Sequence, residues 1–232
     1  MAQSDERVTV WLDVWRVPAV RIPGALWRMA IDPRRLRRTP GVRFAKLLGT
    51  GRGNGFGPMR TDLTRWAAVT VTDGTPPAFS RWAALAAASC RLVLRPISSR
   101  GTWSGRTPFE PEPDAGEGPV LALTRARLRP AKAVTFWRAI APVARALPET
   151  PGLLTAFGIG EAPLGWQGTV SVWRGHPDLV RFAYRHPEHR RAIARTPTAN
   201  WYAEELFARF TVLDIQGDTG VIGWVEGRRL PA

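Results

Sequence analysis

Three histidines, His176, His186 and His189, are the whole imidazole inventory of this 232-residue chain. Two of them fall in "RHPEHRRAIA", three positions apart in a stretch that reads as helix. His186 stands directly before Pro187, and proline suits the first position of a helix, so His186 reads as a surface residue at the helix start. His176, in "RGHPDL", reads as a turn residue with local hydrogen bonds. His189 differs. With a helix opening at Pro187, Ala192 and Ile193 share its face, while Arg190, Arg191 and Arg195 lie away from it. A histidine on a buried face needs a hydrogen-bond partner or a metal. Zinc asks for more nitrogen and sulfur ligands than the chain offers, whereas haem iron asks for one protein ligand. On spacing alone, a structural role and a ligand role both remain open for His189.

The other reactive residue types offer less. A single cysteine, Cys90, rules out an internal disulfide and a cysteine zinc cage. It follows Ala86 to Ser89 in a helix-like apolar pattern and reads as buried and inert. The glycine run "GTGRGNGFGP" (49–58) lacks the helix that a dinucleotide fingerprint needs and the Gly-Lys-Ser/Thr of a phosphate loop, so it reads as a strand end entering a wide turn. Glu204 and Glu205 are adjacent; on a helix their side chains diverge by about 100° and cannot share one substrate atom. Of the eleven tryptophans, Trp11, Trp15, Trp66 and Trp82 fall on core faces.

These residues need a scaffold, and the hydrophobic periods supply one. "VTVWLDVWRV" reads as a strand, Gly24 to Arg38 as a helix, "VRFAKLLGTG" and "RWAAVTVTD" as strands, "PPAFSRWAALAAASC" as a helix and "RLVLRPIS" as a strand. A Gly-, Pro- and acid-rich stretch follows, with a linker placed at 106–118. The order then repeats, from "VLALTRARL" to "RFTVLDI", with the second helical region broken near Pro187. "GTG" (49–51) answers "GIG" (158–160), and "VTV" (69–71) answers "VSV" (170–172). The expectation is an α+β chain of two tandem ferredoxin-like β-α-β-β-α-β halves, 1–105 and 119–232, packed as a dimeric α+β barrel-like sandwich.

Charge and composition bound the partners. The net charge is +14, and all but two of the basic residues, Lys46 and Lys132, are arginine. The arginines are scattered, with one cluster at Arg34, Arg35, Arg37 and Arg38, and no zinc finger, RNA-recognition or helix-turn-helix pattern accompanies them. Composition therefore points away from nucleic acid and towards an acidic redox partner or a membrane surface. No stretch approaches the ~18 apolar residues of a membrane span, and no charged-then-apolar leader opens the chain, so a cytoplasmic protein is expected.

Taken together, "GTGRGNGF", "GTWSGRTPFEP", "ALTRA", "GIGEAP", "VSVW" and "ANWYAEELFARF" resemble the spheroidene monooxygenase family, which oxidises acyclic carotenoids. The resemblance runs over roughly residues 42–215 and is poor before residue 40. It implies haem b, molecular oxygen, an apolar carotenoid-like or other secondary-metabolite substrate, and reduced ferredoxin as electron donor. It also implies that His189 is the axial iron ligand, with Trp173 and Trp201 beside the cofactor. Arg125 of "ALTRA" and Gln167, before "GTVSVW", would serve bound oxygen or the haem propionates. Two other readings stay open: a haem enzyme acting on an N–O substrate, in the manner of aldoxime dehydratases, and a haem-free binding protein. A monomer or a homodimer would suit the repeated halves.

Overall fold

The computed structural model describes residues 8–51, 61–112, 117–161, 166–185 and 187–224. Among these, the chain forms β1 (Thr9–Arg16), α1 (Ile22–Leu36), β2 (Val42–Gly51), β3 (Thr61–Thr72), α2 (Ser80–Ala83) and β4 (Ala88–Gly101). It continues with β5 (Val120–Leu128), α3 (Ala133–Ala146), β6 (Leu153–Gly160), β7 (Trp166–Trp173), α4 (His176–Arg185), α5 (Pro187–Ala199) and β8 (Tyr202–Gly217). The eight strands close into one antiparallel barrel in the order β1-β3-β2-β6-β7-β5-β8-β4.

The α+β barrel expectation holds at this level, but the two strand sets do not lie face to face as separate sheets. They join edge to edge, β4 to β8 along a long ladder and β2 to β6 through Gly49 with Gly160 and Thr50 with Ile159, which closes the barrel. Side-chain alternation then fixes the core. Val10, Leu12 and Val14 of β1, Val69 and Val71 of β3, and Leu121 and Leu123 of β5 point into the barrel and form its apolar filling. Their neighbours in sequence point outward, towards the helices.

Two departures from the sequence reading are instructive. The helix expected over 76–90 shrinks to a single turn, Ser80–Ala83, and Cys90 lies on β4, where it pairs with Val14. Alanine's small helix preference yields there to a whole ladder of strand pairing. The burial of Cys90 holds, and burial pushes its thiol up to about 12. In the Gly- and Pro-rich stretch after β4, Trp103 and Phe109 enter the barrel filling, where Phe109 meets Phe210 edge-on at 4.9 Å. Large apolar area fastens this stretch despite its turn-like composition. Among the described residues, no helix is long and apolar enough to cross a membrane.

Candidate functional site

Two environments meet across the strands β5 and β7, one inside the barrel and one outside it. Inside, β5 continues the inward series Leu121, Leu123 with Arg125, whose side chain is 2% exposed. Its Nε and Nη2 donate to Glu161 Oε1 at 3.2 and 2.9 Å, and its Nη1 donates to Glu204. Lys46 Nζ donates to Glu161 Oε2 at 2.6 Å, and Trp103 Nε1 donates to Glu161 Oε1 at 2.7 Å. The Arg125 guanidinium also lies over the Trp103 ring, 5.9 Å from its centroid. Burial alone would raise the Glu204 carboxyl, but the Gly105 N–H and the Arg125 guanidinium outweigh it and hold the group at about 2. Each charge in this cluster has an opposite partner and further hydrogen bonds, the condition under which buried ions are tolerated. Gly168, opposite Arg125 on β7, has to be glycine, since a Cβ there would sit 2.1 Å from the Thr124 carbonyl oxygen.

Outside, the same two strands present a floor of small side chains to the helical layer. The outward residues Ala122, Thr124 and Ala126 of β5 lie opposite Ser171, Thr169 and Gln167 of β7. All six are half-buried rather than buried. Gln167 Oε1 is a buried acceptor with no hydrogen-bond partner among the described residues. At one end of the floor, Trp173 packs against Phe182 of α4 at 5.1 Å and donates from Nε1 to Ser171 Oγ at 3.0 Å. At the other end, Trp201 packs edge-on against Phe136 of α3 and donates to Thr135 Oγ1 at 3.2 Å. Above the floor, α4 meets β5 and β7, while α5 packs on α3 and α4.

The residues singled out in sequence thus separate. Trp173, Trp201 and Gln167 share the helix-facing side. Arg125 is on the opposite, barrel-filling side, in a different environment from Gln167. His189 lies on α5; its side chain is outside the described residues, as is the whole of His186. His176 is exposed at the start of α4. In the glycine run, Gly49 and Gly51 end β2, and residues 52–60 are outside the described residues. Glu161, Glu204, Lys46 and Trp103 escaped the sequence reading. Glu204 was set aside because "EEL" was weighed on a helix; it stands on β8, where Glu204 points inward and Glu205 outward. A signal did exist. "GTWSGR", "ALTRA", "GIGEAP" and "ANWYAEELF" supply Trp103, Arg125, Glu161 and Glu204 to one cluster.

The floor's side chains are small and only partly buried, a tryptophan stands at each end, and Gln167 Oε1 has no donor among the described residues, while Ala122 packs against the cluster of Val143, Leu179 and Phe182. Among the described residues no three His, Cys, Asp or Glu side chains cluster as a cation cage. The residues present fit a planar cofactor carrying its own metal.

No family model matches the chain. It is 36% identical over 211 residues to a spheroidene monooxygenase of Rhodobacter capsulatus, covering 84% of this chain and 86% of the relative. It is 35% identical over 225 residues to a spheroidene monooxygenase of Rubrivivax gelatinosus, covering 93% and 85%. Among solved structures, an aldoxime dehydratase superposes with a TM-score of 0.55 at 12% identity, over 92% of this chain and 84% of that one. The last likeness is one of fold.

Proposed function

Because this chain belongs to the spheroidene monooxygenase family and is a monooxygenase, we propose that it uses haem b to insert oxygen into an activated C–H bond of an apolar, carotenoid-like substrate. The observation that carries this reading is the half-exposed floor of Ala122, Thr124, Ala126, Thr169 and Ser171, with the unpaired Gln167 Oε1 beside it. His189, on the last helix above that floor, is the residue proposed to bind the iron. Bound haem would supply oxygen binding and activation, chemistry that no side chain of this chain can provide.

The protein's own share is positioning and exclusion of water. Trp173 and Trp201 seal the two ends of the floor with apolar area and hold their indole N–H groups on Ser171 and Thr135. The floor residues are uncharged, and the Thr124 and Thr169 hydroxyls bond each other while Ser171 Oγ accepts from Trp173, which frees their methyl and methylene faces for an extended hydrocarbon. Gln167 Oε1 can accept a hydrogen bond from the hydroxyl group that oxidation installs, or from a protonated propionate. On the barrel side, the Arg125 cluster stiffens β5 and β8 beneath the floor and fixes its shape. Electrons would come from a reduced ferredoxin, whose acidic surface suits a protein of net charge +14.

The test is an absorption spectrum of the purified, haem-reconstituted protein, reduced and under carbon monoxide, followed by turnover of an acyclic carotenoid with and without oxygen. A Soret band that shifts with carbon monoxide, its loss in His189→Ala, and oxygen-dependent turnover are the expected results. Absence of haem uptake would leave a haem-free binding protein. Anaerobic turnover of an aldoxime would move the reaction to N–O chemistry.

A further inference from the structure

The first helix carries a face that nothing in the described structure covers. Ala25, Asp32 and Leu36 mark the side of α1 that is buried against the barrel. With 3.6 residues per turn, Pro23, Trp27, Arg34 and Arg38 project the opposite way. Trp27 is 64% exposed, Leu26 is 48% exposed, and Val20, in the short 3-10 turn before the helix, is 87% exposed. Val20, Leu26 and Trp27 lie within eight residues at the N-terminal end of α1, and three exposed large apolar side chains so near in sequence exceed the scattered single ones of an ordinary surface. Immediately beyond them, Arg34, Arg35, Arg37 and Arg38 are all exposed. The one acidic residue between Ala19 and Arg38, Asp32, is buried with Arg28 Nη1 3.9 Å away. The face is therefore apolar at its first turns, cationic at its last, and free of exposed carboxylates.

We infer that this face docks on an anionic lipid bilayer. Val20, Leu26 and Trp27 enter the interfacial layer, and the four arginines meet lipid phosphates. Apolar side chains gain from the acyl boundary, an indole favours the level of the headgroups, and each cation near such a surface adds electrostatic attraction. A second copy of the chain could cover Val20, Leu26 and Trp27 but, with no exposed carboxylate on the face, would leave the four arginines without anionic partners. Nucleic acid would satisfy the arginines but leave Val20, Leu26 and Trp27 in water. The inference stands apart from the cofactor: it concerns the side of the barrel away from the floor under α4, and its readout needs no haem.

Co-sedimentation with vesicles tests it, using phosphatidylcholine with and without phosphatidylglycerol. Binding is expected only with phosphatidylglycerol, and high salt should release it. Trp27→Ala should weaken partition about tenfold from lost apolar contact. R34Q/R35Q/R37Q/R38Q should weaken it by roughly six-hundredfold, from about fivefold per arginine. The control R81Q/R138Q/R145Q/R174Q removes the same charge from exposed arginines elsewhere, and should change partition by less than about threefold. Circular dichroism of each variant verifies the fold. Three results would overturn the inference: no binding to phosphatidylglycerol vesicles, equal losses in the two quadruple variants, or tighter binding to a DNA duplex that is indifferent to Trp27.

Discussion

Over β1, β3 and β2 the helix-facing side of the barrel is dry, whereas over β6, β7 and β5 it stays half open. In the first region Trp15, Trp66 and Trp82 fill the space between strands and helices, Trp15 and Trp82 stacking at 5.0 Å. Every outward residue of β3 from Trp66 to Thr72 is buried there. In the second region the corresponding positions hold Ala, Thr, Ser and Gln, and the tryptophans stand only at the ends. The same architecture thus carries a fully buried outer face in one region and a partly buried one in the other. What separates them is side-chain volume on one face of three strands.

Their buried acid–arginine pairs differ in the same sense. Asp13 of β1 receives Arg91 Nε at 2.6 Å, but its other oxygen has no partner among the described residues, and Trp11 and Trp15 flank it in sequence. Burial there outweighs the guanidinium and raises the carboxyl from 3.8 to about 6. Glu204, with Arg125, Gly105 and Thr102 all donating to it, moves the other way, to about 2. One cation is too little to offset a dry setting; a full set of donors is enough.

Substitutions in the two regions should have different effects. Arg125→Met should cost about 3–5 kcal/mol of unfolding free energy, since it strands a buried carboxylate. Lys46 still holds Glu161, so the Glu204 carboxyl should rise out of its low range, as carbon-detected NMR titration would register. Trp82→Ala should cost a similar, slightly smaller amount by opening a cavity beside Trp15 and Trp66, while haem titration stays normal. Chemical denaturation checks both.

Asp13 sharpens the contrast through pH. Its folded pKa lies above the unfolded value, so the folded state holds the extra proton, and stability falls as pH rises from about 4 to about 6. The full cost, about 2–3 kcal/mol, is present above that window. Asp13→Asn should flatten the slope across it. Glu204 acts oppositely: its contribution is intact above the ordinary glutamate range and disappears as pH falls towards about 2. The smallest stability effect is expected from Ala126→Trp, which gives the open floor one of the indoles that fill the other region. It should shift stability by about 1 kcal/mol or less and weaken haem uptake at least about tenfold, measured by Soret titration.

Much of the fold was legible because strands announce themselves by period. Stretches such as "VTVWLDVWRV", "RWAAVTVTD" and "VLALTRARL" read as strands from their β-branched and apolar residues, and each contributes to a barrel strand. Even alanine's leading helix preference gave way before Cys90, where Ala88 opens β4 and the barrel's pairing overrode local propensity. The residue clusters on the two sides of β5 were legible in part. Arg125, Gln167, Trp173 and Trp201 were named from "ALTRA", "GTVSVW" and "ANWYAEELF", yet Glu161 and Glu204 were not, because an ion partner more than thirty residues away in sequence leaves no local mark.

The sequence by itself determined most of the strands, the family, the isolated cysteine and the arginine-rich composition, all of which depend on residue type and short-range spacing. Only the tertiary structure decided that Arg125 turns into the barrel while Gln167 turns out. It alone gathered Lys46, Glu161 and Glu204 around that arginine, and left one outer face open while filling the other. Those outcomes depend on which strands become neighbours when the barrel closes, and closure is a property of the whole chain that no short stretch encodes.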